Sequence, residues 1–118
     1  MRILLSTFGA LAVALVLSIP ARPQDNAFKG EIMDSQCAGM GSHDQMMKSE
    51  GAKNAKECSD ACVKMGGKYV LYSADSKTTY QLDDQDKAKQ FSGQKVEVSG
   101  TYDKSAGTIH VSDIKSQQ

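Results

Sequence analysis

Residues 93–114 read GQKVEVSGTYDKSAGTIHVSDI, and the apolar side chains in them alternate. Val96 and Val98 fall on one face of an extended chain. Ile109 and Val111 fall on one face of the next, with His110 opposite. A period of two marks a half-buried strand. DKSAG, between the two runs, offers Asp and Ser for local hydrogen bonds and Gly for a positive φ, so it predicts a hairpin turn.

The pattern extends upstream. KYVLYS (68–73) and TTYQL (78–82) are β-rich runs joined by ADSK, a second predicted hairpin. DQDKAKQF (84–91) is a short helix that Asp83 or Asp84 can cap and Gly93 stops. AFKGEIMDS (27–35) alternates as well, with Phe28, Gly30, Ile32 and Asp34 on one side and Lys29, Glu31 and Met33 on the other.

Between the first strand and the second lies a segment of another kind. Ser42 with Gln45 forms a capping-box pattern for a short helix, HDQMMKSE, ended by Gly51. Asn54 with Glu57 repeats the pattern more loosely, and AKECSDACVKM reads as a helix stopped by Gly66 and Gly67. The expected fold is therefore mainly β: a five-stranded OB-like barrel over residues 28–116, with a helical insert (37–66) between strands 1 and 2 and a short helix before strand 4.

The chain opens with MRILLSTFGALAVALVLSIPA: a basic start at Arg2, an apolar run, then small residues. That is the layout of a secretory signal peptide over residues 1–21, cut after Ala21 or at Ser18, with a retained anchor as the alternative. Residues 22–27 read as a flexible lead-in. Processing would leave no stable membrane span and a secreted or periplasmic domain, the apolar run being of the general secretory type with no twin Arg before it.

The 14 Lys and Arg balance 14 Asp and Glu, and there is no Trp. Binding of single-stranded nucleic acid by an OB-like face needs a basic groove and stacking aromatics. Tyr69, Tyr72, Tyr80 and Tyr102 lie on predicted strands, but no excess of positive charge accompanies them, which argues against nucleic acid. A face bearing Tyr remains suited to a peptide, an envelope protein or a small molecule. No serine-nucleophile, phosphate-loop or metalloprotease motif is present, and the chain reads as non-enzymatic.

GQKVEVSGTYD followed by GTIHVSDI is similar to the closing strands of small secreted bacterial OB-fold proteins, including the periplasmic OB-fold stress-protein family. GEIMDSQC (30–37) and ECSDACVKMGGKYVLY (57–72) resemble more closely a family of small secreted bacterial proteins of unknown function with a Cys-bearing helical insert. That resemblance covers nearly all of the chain after the leader. It implies the fold and the export and carries no activity. The stress family lacks the three-Cys insert, so its roles do not transfer through it.

DSQCAGMGSHDQMM (34–47) concentrates one Cys, one His and three Met. With Cys58 and Cys62 it yields the spacing C-x5-H-x14-C-x3-C. Cys37, His43, Cys58 and Cys62 would complete a tetrahedral site for zinc, and thiolates with the thioethers of Met46 and Met47 would suit copper.

The competing reading is a staple. Three Cys in an oxidising compartment permit one pair, Cys37 with Cys58 or with Cys62, and leave one thiol over. Closing a loop of about twenty residues contributes on the order of 3 kcal/mol. Cys58–Cys62 is the pair least suited to bridging, because two Cys on successive helical turns hold their Cβ atoms apart. Met33 and Met65 are expected in the core, and Met46 and Met47 as packing or ligands. His110 is expected on the outer face, solvated. Asp83, Asp84 and Asp86 are read as helix capping, since they lack the rhythm of a calcium loop.

Overall fold

The computed structural model describes residues 18, 25–44, 47–48 and 51–117. The expected signal peptide, apart from Ser18, lies outside the described residues, as do Gln45 and Met46. Five strands follow one another as β1 (Asn26–Asp34), β2 (Tyr69–Ser73), β3 (Thr78–Leu82), β4 (Lys95–Asp103) and β5 (Thr108–Ser116). The insert contributes α1 (Ser35–Met40) and α2 (Ala55–Lys64), and α3 (Gln85–Lys89) precedes β4. No helix among the described residues is long and apolar enough to cross a membrane.

The sheet is mixed and closes on itself in the order β1-β2-β3-β5-β4. β1 makes the closure. Its first half pairs with β4 (Asn26↔Gly100 through Glu31↔Lys95), and its second half with β2 (Glu31↔Tyr72 through Asp34↔Tyr69). β3 and β5 join in parallel through Gln81↔Thr108 and Leu82↔Ile109; the other pairings are antiparallel.

The alternation read from the sequence fills the ring. Ile32, Leu71, Val96, Val98 and Ile109 are each fully buried in one cluster with Leu82, Ala88 and Ile114. Burying each such side chain is worth roughly 1.5–3 kcal/mol, and they set the register, because a slip of one residue would turn all of them outward. Phe28, Tyr80 and Tyr102 pack against this cluster and against one another, with centroids 5.2–5.9 Å apart. Tyr80 and Tyr102 are partly buried in this packing, and Tyr69 is buried, donating its hydroxyl to Asp60 at 2.7 Å.

The caps follow local chemistry. Asn54 Oδ1 accepts from Glu57 N at 2.9 Å to start α2, and Glu57 reaches back to Lys53 N, one residue beyond the position of a standard capping box. Asp84, and not Asp83, caps α3 through Lys87 N. Asp83 instead crosses to β5, where its carboxylate accepts from Val111 N at 2.8 Å and meets exposed His110 at 3.1 Å. These bonds hold the Asp83 carboxyl below its usual range.

One packing expectation is corrected. Met65 is 67% exposed. It sits in the C-cap of α2, where the chain leaves the helix toward Gly66 (φ 107°), so its side chain is carried off the packed face.

β1 departs from simple alternation at its end, where Ile32, Met33 and Asp34 are all buried. Ile32 faces the ring interior. Met33 belongs to a second cluster with Cys37, Ala38, Cys58 and Val70, on the other face of β1 and β2. The insert lies over that face and gives the molecule a second, smaller core.

Candidate metal centre

Asp34, the last residue of β1, is the N-cap of α1. Its Oδ2 accepts from Gln36 N at 2.9 Å and from Cys37 N at 3.1 Å. The cap pins Cys37 at the start of the helix, where it is fully buried. α1 lasts six residues and ends at Gly41, whose φ of 74° is left-handed backbone that favours glycine. Ser42 N then donates to Cys37 O at 3.2 Å, and His43, the next residue, comes within reach of the Cys37 sulfur. Ser42 Oγ accepts from Asp44 N, and Met47 N donates to His43 O at 2.8 Å.

α2 delivers the third group. Cys58 and Cys62 share its buried face, 1% and 2% exposed. Cys58 Sγ lies 3.8 Å from Cys37 Sγ. Cys37, His43 and Cys58 each present one donor atom such that all three lie within 4.8 Å of one another. These three residues lie close together and could hold a metal ion. Cys62 is buried one turn further along α2, near Asp34 and Cys58, and falls outside the trio. Met47 is half-buried against the same cluster.

The imidazole is held by a carboxylate. His43 Nε2 lies 3.0 Å from Glu31 Oε1 on β1. With the carboxylate accepting, Nε2 carries the proton and Nδ1 keeps its lone pair. Nδ1 is buried and has no hydrogen-bond partner. Metal-binding histidines commonly show this arrangement: a carboxylate holds the distal N–H, fixing tautomer and ring angle, while the other nitrogen faces the ion. Asp34 Oδ1 is likewise buried and unpartnered.

Charge points the same way. Burial, then the Asp34 carboxylate and Cys58, push the Cys37 thiol far above its ordinary value. Burial, then Asp34 and Cys58, raise the Cys62 thiol to about 11. A carboxylate beside buried thiols is a poor setting for thiolates alone and a good one for a cation that neutralises them. Two sulfurs and an imidazole nitrogen also form a soft donor set that zinc and copper prefer over calcium or magnesium.

Sequence spacing alone brought Cys37, His43, Cys58 and Cys62 forward together. It did not single out Glu31 or Asp34. Asp34 carried a local signal, an Asp three residues before Cys37 in N-cap register; Glu31 carried none, since its partner is twelve positions away.

A mainly β chain with a buried Cys-His-Cys trio under a helical insert is what the fold and the site define. Residues 63–117 match the family DUF5818, described as a protein of unknown function. This fits the resemblance to a family of unknown function. The matched segment runs from the end of α2 through β5, so it contains none of Cys37, His43, Cys58 or Cys62. No curated protein and no solved structure matches the chain.

Proposed function

We propose that this protein is a small, non-enzymatic binding domain of OB-like architecture that holds a thiophilic metal ion, zinc or copper, through Cys37, His43 and Cys58. The observation that carries the reading is the convergence of one donor atom each from Cys37, His43 and Cys58 within 4.8 Å, at a histidine whose Nδ1 is buried and without a hydrogen-bond partner. A buried acceptor left unpaired costs on the order of 1–3 kcal/mol, and coordination removes that cost. Asp34 and Cys62 stand beside the trio as candidates for a fourth ligand. The closed order β1-β2-β3-β5-β4 with a helix before β4 supports the OB-like description, and the leader-like start supports an exported, secreted or periplasmic location.

A Cys–His pair also raises a nucleophilic enzyme, and burial argues against it. A catalytic thiol is accessible and its pKa is lowered. Here Cys37 is fully buried, Cys58 is 1% exposed, and the Cys37 thiol is raised.

The second reading is a disulfide-stapled envelope domain whose surface binds a small molecule or a protein partner. The 3.8 Å approach of Cys37 and Cys58 favours that pair over Cys37–Cys62. In this structure all three Cys are free thiols.

The test is intact mass of the exported protein, native and denatured, with thiol alkylation before and after reduction. A native mass excess matching zinc or copper, with all thiols alkylated once denatured, supports the metal centre. A blocked Cys37–Cys58 pair without metal overturns it in favour of the staple.

A further inference from the structure

A cleft of about 520 Å³ opens beside the trio. Glu31, Met33, His43, Met47 and Tyr72 are among its walls. Met33 and Met47 have a double placement: both line the cleft, and both pack in the cluster that contains Cys37 and Cys58. The thiols themselves are sealed, so an ion has no open water path to them. It must pass the side chains that separate the sulfurs from the cleft.

Resting on the metal reading above, we infer that the ion is Cu(I) and that it reaches the Cys37–His43–Cys58 site through this cleft, handed inward by the thioethers of Met33 and Met47. Thioethers are soft, neutral donors that suit Cu(I), whereas zinc is bound by Cys, His, Asp and Glu. The flexible Met side chain tolerates the rearrangement that ligand exchange requires. The transfer moves no electron: copper enters and stays as Cu(I). As each S–Cu bond forms, a bond from copper to its carrier or to a Met thioether breaks and the thiol releases its proton to solvent; His43 contributes the lone pair of Nδ1 while Nε2 keeps the proton it donates to Glu31. Both methionines could otherwise have been any apolar residue of similar volume, which makes the exchange to Leu a direct probe.

The experiment is anaerobic transfer of Cu(I) to the full chain from a coloured Cu(I)–bicinchoninate complex, followed by stopped flow, for the unaltered protein, Met33→Leu and Met47→Leu, with Zn(II) loading in parallel. Leu keeps the volume, so the fold is retained and circular dichroism verifies it. Expected is uptake of Cu(I) in preference to Zn(II), a loading rate about tenfold slower in each variant, and unchanged final occupancy. Wild-type loading rates in both variants overturn the Met relay. Zinc held where Cu(I) is not overturns the choice of ion while leaving the Cys-His-Cys centre standing. Failure to hold either metal overturns the centre itself and this inference with it.

Discussion

His43 donates Nε2–H to Glu31 across 3.0 Å, and its other ring nitrogen, Nδ1, is buried without a hydrogen-bond partner beside the Cys37–Cys58 pair. The proposed ligand and its support therefore come from different parts of the chain, the insert and β1. Removing the support should loosen the ligand without deleting it. Glu31→Ala is expected to lower zinc or Cu(I) affinity by about 10–100-fold, measured by competition against a chromophoric chelator. Unchanged affinity would show that the carboxylate does not orient the ring.

The three Cys should not be equivalent. Cys37→Ser and Cys58→Ser are each expected to weaken metal binding by about a hundredfold or more, since each removes a thiolate from a small donor set. Cys62→Ser should cost about tenfold at most, because its sulfur lies outside the trio. Equal losses for all three would place Cys62 among the ligands.

Without metal, the raised thiols predict a loss of stability at alkaline pH. Unfolded thiols ionise near their ordinary value of 9.0, whereas folded Cys62 holds its proton to about 11 and Cys37 is raised as well. A folded pKa above the unfolded one contributes stability that is complete below pH 9 and declines as pH rises toward 11. Urea denaturation of the reduced, metal-free protein at a series of pH values from 7 upward should show that decline, and Cys62→Ser should reduce it. A flat profile would mean the thiols are less buried in solution.

Gly93 fastens the insert to the ring. Its φ is 75°, its N–H donates to Ile32 O at 2.9 Å, and a Cβ there would run into the backbone of Lys56 at the start of α2. Gly93→Ala combines unfavourable backbone with that clash, and the expected destabilisation is about 1–3 kcal/mol. Thermal unfolding measures it. A wild-type midpoint would mean that α2 shifts freely against the sheet.

Much of the sheet was legible because its signals are local. Val96, Val98 and Ile109 alternate with polar neighbours, and each is fully buried. Asn54 with Glu57 announced the start of α2 over three residues. Where a partner lies far along the chain, local reading failed. Asp83 looked as good a cap as Asp84, yet it is taken by Val111, 28 positions on. The expected burial of Met33 holds, but its reason was not local: the residue sits on the polar side of β1 and is buried because the insert covers that face.

By itself, the sequence determined the strands, helices α2 and α3 but not α1, and the set Cys37, His43, Cys58 and Cys62 as the soft atoms of the chain. Those follow from period, caps and residue type, each readable within a few positions. Only the tertiary structure decided which three of the four converge, that Glu31 holds the imidazole, and that Met33 and Met47 border both the cleft and the thiols. Those relationships depend on how the insert docks on β1 and β2. That docking is set by burial of Met33, Val70 and Cys58 against one another, contacts between residues too far apart in the chain for any local pattern to register.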